Sequence, residues 1–418
     1  MHPSLGAWLV VAGASCSLFC GVGFLNAFGV FQDYYKTNML QDMSDSNISW
    51  IGSVSIFLLY LLSPVAGILV DRFGPTILLI GGSIGTLLAV FMTSLCTEFY
   101  QFFLAQAVLL GMSMSFLTLP PLSVVSRRLP QHRGLALGIV VGGSSVGGIL
   151  WPVMLERLLS HTNLGFGWVM RIVGFTMLPL LAFACATVLE PPPSHKTTTT
   201  PPLETLSDSS NANLPTKDDK SKTWDISILK NKVFLMLAAG LSIVYLGLFI
   251  PPFYISTYAT AQTIAPEASF YLISIMNGAS LLGRVLPGHF ADRYGHFNVF
   301  SLAILSSGVI AFCWTAATNL VGLIFWGLAY GFTSGAIISL QSACAGNIAD
   351  HGTQGTAMGL LMGAVSITSL VGTPIGGSLV TKYGYLALSM FSGATLLAGS
   401  LLIIFARLML NRTPWAVI

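Results

Sequence analysis

The octapeptide GILVDRFG at 67–74 returns as GHFADRYG at 288–295, an offset of 221 residues. RGLALG at 133–138 returns as QGTAMG at 354–359 with the same offset, and Gly142 falls on Gly363. One spacing held across separate segments means that the chain duplicates a single unit. The stretches beside the first copy, 46–70 and 73–97, contain no Asp, Glu, Lys or Arg. A bilayer core takes about 20 apolar residues per helix, so the motif reads as a tight connection between two membrane spans.

Composition supports that reading. Of 418 residues, 54% are hydrophobic and 8% charged, and the mean hydropathy is +0.78. Water-soluble domains carry roughly 25% charged residues, so a soluble fold is excluded. The 43 glycines have no three-residue period, which excludes collagen, and they suit close approach of membrane helices. A dispersed net charge of +3 gives no footprint for nucleic acid; the lipid bilayer is the expected surroundings. The six cysteines lie in apolar runs without metal-ligand spacing or a disulfide framework, so they read as small buried hydrophobes, and neither metal nor cofactor is expected.

Further charge-poor stretches run 1–32, 99–126, 134–155, 172–189, 233–266, 268–291 (interrupted by Arg284), 294–349, 352–381 and 383–406. The 56 residues of 294–349 hold two helices, turning near Thr318-Asn319. The expected fold is therefore an all-α polytopic membrane protein of twelve spans, arranged as two six-helix pseudo-repeats. Residues 190–231 differ: they hold 11 of the 33 charged residues and are rich in Pro, Thr and Ser, the composition of a disordered linker. The expected domains are a bundle at 1–189, this linker, and a second bundle at 232–418.

Lys and Arg set the orientation. With the N-terminus inside, thirteen fall on the cytoplasmic side against three outside (Lys36, Arg157 and Lys382), so both termini and the linker are expected in the cytoplasm. The first apolar run has no basic leader and carries Trp8 and Asn26, so it reads as a span and not a cleaved signal.

Within the repeated motif, Gly67 and Gly288 leave room for a helix of the opposite half. Asp71 and Asp292 stand where a carboxylate can cap a neighbouring helix N-terminus. Arg72 and Arg293 are expected to pair across the interface. Contacts of this kind form when one side of the molecule closes and break when it opens, so all six are candidate gating residues.

The chain resembles the major facilitator superfamily over nearly its whole length. GAWLVVAGASCSLFCGVGFLNAFGVFQDYY at 6–35, RGLALGIVVGGSSVGGILWPVM at 133–154, LGFGWVMRIVGF at 164–175, GLFIPPFYISTYA at 247–259 and SIMNGASLLGRVLPGHFADRYG at 274–295 resemble the fungal branch of its monocarboxylate porter family. The resemblance implies a transporter that works by alternating access between two bundles.

All acidic residues and all histidines lie outside the spans or at their edges; Arg284 alone is ionised deep within one. Arg at a helix centre costs about 2.5–3.5 kcal/mol on insertion scales, so it should face a cavity, helix carbonyls or an anionic ligand. Snorkelling to the interface is the bland alternative. Asn277, Ser280, Arg284 and Gly288 share one helical face. By the resemblance, porters of this family bind a substrate carboxylate with an Arg at this place, and carry an Asp and a Lys where this chain has Ser280 and Asn26. The anion-binding half of that chemistry is kept and the proton relay is lost. Asn26, Tyr245 and Tyr254 are further candidates for lining the substrate path, with Ser280 and Asn277. Pro251-Pro252 is expected to break its helix, and Pro120-Pro121 and Pro374 are candidate kinks or hinges.

No phosphate-binding G-x-x-x-x-G-K-[ST] motif is present, so ATP-driven pumping is excluded, and no catalytic constellation supports a membrane enzyme. The expected function is secondary or facilitated transport of a small organic anion or secondary metabolite. The sequence leans towards a monomeric metabolite exporter of a fungal plasma membrane; import of a monocarboxylate or vitamin-like nutrient, or a non-transporting sensor, are the alternatives.

Overall fold

Apolar runs of span length, punctuated by Pro, Gly and Asn at their ends, give a chain that is helical wherever it is regular. The computed structural model describes residues 5–160, 162, 164–189, 227–264, 269–350, 352–411 and 413. The spans are α1 (Leu5–Met39), α2 (45–73, bent by 40° at Leu62), α3 (Pro75–Thr93), α4 (Phe99–Arg128), α5 (Pro130–Ser160) and α6 (Phe166–Thr187). The second half contains α7 (Lys232–Ala261), α8 (Ser269–Tyr294), α9 (His296–Phe312), α10 (Leu320–Ile348), α11 (354–383) and α12 (385–410).

Among the described residues, eight segments are long and apolar enough to cross a membrane unaided, and the bent α2 is a ninth. The helical run 354–410 turns at Gly384 (φ 78°, ψ −177°) and so supplies two spans. α8 carries polar residues at its motif end, and α9, at 17 residues, is only just short. The fold is the expected twelve-span duplication.

Local chemistry explains the boundaries. Gly74 and Gly295, at equivalent places in the repeated motif, have φ of 81° and 92°. A side chain there would be strained, so glycine permits the sharp turn from α2 into α3 and from α8 into α9. Asn231 starts α7 by accepting hydrogen bonds from the Val233 and Phe234 amides at 2.9 and 3.4 Å. Residues 227–230 form one 3₁₀ turn before it, so the expected linker is ordered at its end; 190–226 lies outside the described residues. The first helix of each half is broken, α1 at Asn26-Ala27 and α7 at Phe249, just before Pro251-Pro252. Pro120, Pro121 and Pro374 sit inside continuous helix.

The halves meet along two seams, α5 against α8 and α2 against α11. A Cβ on Gly134 would collide with the carbonyl of Gly288, and one on Gly67 with the carbonyl of Gly355. Such seams approach main chain to main chain, the packing that small residues allow in membranes.

Candidate functional site

Arg284 projects from α8 into the α5 seam at the middle of the molecule and is 5% exposed. Gly138 makes this possible: its missing side chain lets the Arg284 carbonyl lie against α5. The guanidinium Nη1 donates to the Val141 carbonyl at 2.8 Å and to Ser144 Oγ at 2.5 Å. The Ser144 hydroxyl donates its own hydrogen bond to Val141 O at 2.9 Å, so its oxygen lone pair is free to accept from the arginine. Arg284 Nε is buried without a partner. The charge thus links the two halves through one nitrogen and leaves donor capacity over.

Other candidates converge on the same lane. Asn26, at the break of α1, donates to the Ser144 carbonyl at 3.4 Å. The Asn26 and Asn277 amides both lie against Gly148 of α5. Tyr245 is 1% exposed and donates to Gln341 Oε1 of α10 at 2.9 Å. Its ring meets that of Tyr60, from α2 of the other half, edge to face at 5.7 Å. Both phenols are within electrostatic reach of Arg284.

Two candidates are placed elsewhere. Tyr254 donates to the Thr373 carbonyl at 3.0 Å and ties the outer piece of α7 to α11. Ser280 packs on Gly335 of α10, away from the α5 lane. Sequence reasoning missed Tyr60 and Ser144. A tyrosine in the apolar middle of α2 and the Ser-Ser pair in the glycine-rich α5 were the available signals.

At the motif ends of the seams, Asp71 accepts from the Gly355 amide (3.1 Å), the Thr356 amide (2.6 Å) and the Thr356 hydroxyl (2.8 Å) at the start of α11. Asp292 accepts from the amides of Gly134 and Leu135 in α5 at 2.7 and 3.0 Å. These donor pairs are themselves 221 residues apart, so the duplication repeats the contact atom for atom at the backbone. The expected pairing of Arg72 and Arg293 across the interface is not what the chain forms. Both are exposed, neither makes an ion pair with a described residue, and Arg72 lies over the Phe73 ring at 5.1 Å. A side chain leaving the motif turn points to solvent, and other groups serve Asp71 and Asp292. Arg127 of α4 meets Asp71 at 3.0 Å. Around Asp292 a chain runs from its carboxylate to His296 (3.1 Å), Asn347 (2.9 Å) and Arg133 (2.5 Å).

Two six-helix bundles that clasp at one membrane face, with a buried arginine in the seam between them, define a membrane transporter of alternating-access type. The Major Facilitator Superfamily matches residues 5–347 and 288–417. The chain belongs to that superfamily. It is 55% identical over 411 residues to an MFS-type transporter of Aspergillus fumigatus, covering 98% of this chain and 94% of that one. It is 45% identical over 402 residues (96% and 87% covered) to the agnestins efflux protein of Paecilomyces divaricatus. With the aspyridones efflux protein of Emericella nidulans it shares 37% over 404 residues (96% and 78% covered). The crystal structure of the human organic anion transporter MFSD10 superposes with a TM-score of 0.69 at 17% identity, over 95% of this chain and 98% of that one, which is a likeness of fold.

Proposed function

We propose that this protein exports a small organic anion, a fungal secondary metabolite, across the plasma membrane by alternating access. The observation that carries the reading is Arg284: a buried guanidinium between the halves, with Nε unpartnered. Relatives over nearly the whole chain bear the names of efflux proteins for secondary metabolites, which supports export over uptake. The motifs around α1, α5 and α8 favour the monocarboxylate porter branch. Asn26, Asn277 and Tyr245 line the path with Arg284. Ser280 supports the arginine's helix from the α10 side, and Tyr254 braces α7.

Asp71 and Asp292, with Gly67 and Gly288, form the gate on the cytoplasmic face. Arg72 and Arg293 act there as solvated positive charges that retain the loops inside. Both termini and the linker 190–231 between domains 1–189 and 232–418 are cytoplasmic, on the thirteen-to-three distribution of Lys and Arg. A monomer suffices, because both halves of the site come from one chain.

The test is retention and efflux of a radiolabelled acid in a host lacking its own exporters. Faster efflux with the wild-type protein, lost in Arg284→Ala at equal surface abundance, is expected. Equal efflux by Arg284→Ala overturns the assignment of the anion site.

A further inference from the structure

Nη1 of Arg284 is spent on Val141 and Ser144, while Nε is buried without a partner and no described group bonds Nη2. The Nε–Nη2 edge is the side-on fork that grips a carboxylate by two parallel hydrogen bonds. Tyr245 and Tyr60 both lie within electrostatic reach of this guanidinium, and the Tyr245 ring is held by its hydroxyl bond to Gln341 at 2.9 Å. Tyr60 meets it edge to face at 5.7 Å, and Phe249 does so at 5.5 Å. Tyr245 is fully packed, whereas Tyr60 is only partly buried, so the accessible ring of the pair is that of Tyr60.

We infer that the site selects acids whose charged group is borne on a flat conjugated ring, with Tyr60 and Tyr245 as the specificity-determining residues. This rests on the proposed anion site at Arg284 and adds the class of molecule that fills it. Aromatic rings carry a negative face and a positive edge, so a flat ring gains edge-to-face contacts with both tyrosines that a saturated ring of equal size lacks. The fork holds the carboxylate in its own plane, and in a conjugated acid the ring shares that plane. Because Tyr60 belongs to the N-terminal half and Tyr245 and Arg284 to the C-terminal half, such a ligand touches both halves at once. An aliphatic acid bound at the fork alone would engage mainly the C-terminal half.

The experiment uses the purified full chain in lipid nanodiscs, with 2-naphthoate and decalin-2-carboxylate as probes of matched carbon skeleton. Binding is read by titration calorimetry for wild type, Tyr60→Leu, Tyr245→Phe and Arg284→Gln. Wild type is expected to bind 2-naphthoate about tenfold more tightly, the scale of one or two aromatic contacts. Tyr60→Leu should bring the two affinities within about twofold of each other. Tyr245→Phe keeps the ring and frees it from Gln341, so it should retain most of the preference. Equal affinities in wild type, both lost in Arg284→Gln, would overturn the aromatic selection and leave the anion site standing. Binding that survives Arg284→Gln, or no binding of either acid, would overturn both. A preference unchanged in Tyr60→Leu would remove Tyr60 from the site.

Discussion

Asp71 and Asp292 each cap the first turn of a helix in the opposite half of the molecule, on backbone amides that are themselves related by the repeat. A carboxylate at a helix N-terminus stabilises by about 0.3–1 kcal/mol when exposed and up to about 2 when partly buried. Two such caps bridge the halves on one face only. On the proposed gating role, they should favour the state in which that face is shut.

Replacing Asp71 or Asp292 by Asn keeps an acceptor and removes the charge. Each substitution should shift the population towards opening on the linker side by a few-fold to about 30-fold. Cysteines placed one at a time beneath the seams should become correspondingly more reactive to a membrane-impermeant maleimide. Reactivity equal to wild type in both variants would reduce the motif to a rigid turn.

Gly138 and Gly142 separate tolerance from intolerance within one helix. A Cβ at 138 would drive into the Arg284 carbonyl, whereas at 142 it would meet the tip of Leu281 at 3.1 Å. Gly138→Ala should act as a wedge, costing about 1–3 kcal/mol of seam packing and cutting transport at least tenfold. Gly142→Ala should transport at close to the wild-type rate, since a leucine terminus yields. Equal loss in the two would mean that helix propensity, and not the close approach, governs this seam.

Ser144→Ala removes one of the two acceptors that hold Nη1 while leaving Val141 in place. Arg284 should remain seated but less well aimed, raising the substrate Kd several-fold, as expected for a lost hydrogen bond to a charged group. Arg284→Lys keeps the charge and loses the planar fork, so it should fall between Ser144→Ala and Arg284→Ala. Substrate affinity measured on correctly inserted protein decides this order.

No Asp or Glu lies deep in a span, and Asp33, near the C-terminal end of α1, is exposed. Transport should therefore proceed as uniport or anion exchange. In proteoliposomes, imposing a proton gradient should change the flux of an anionic substrate by less than about twofold. A fixed one-to-one proton stoichiometry would contradict this and direct attention to Asp33.

The linker side should be the inside of the cell. Limited proteolysis of inside-out vesicles should cut within 190–231 and yield two membrane-embedded fragments, while intact spheroplasts should be protected. Cleavage from outside alone would reverse the orientation.

The duplication, the spans and the helix-end contacts of Asp71 and Asp292 were legible because each rests on a local pattern. Charge-free length reveals a span, and a fixed offset reveals the repeat. Partners were less legible, because they join residues hundreds of positions apart. Arg72 adjoins Asp71 in sequence and so drew the expectation of a cross-interface pair, yet helical geometry turns it to solvent and Arg127 takes the contact. Tyr254 read as well as Tyr245 for lining the site. Only the break at Phe249 divides them, sending one to Gln341 near Arg284 and the other to the carbonyl of Thr373. Tyr60 became visible only when its helix was laid against the other half.

The glycine seams also bear on how fast the molecule can turn over. Where helices interlock through large side chains, rocking requires many rotamers to disengage together. Here the facing atoms at Gly134 and Gly288, and at Gly67 and Gly355, are main chain, with no knobs to lift from holes. At these four positions the surfaces are smooth, so the resistance to motion resides around them, in the two carboxylates and their donors at the rims and in the bonds of Arg284 to Val141 and Ser144. A bearing of this kind lets small changes at the edge, in charge or in surrounding salt, set the resting state of the whole transporter while its interior stays the same.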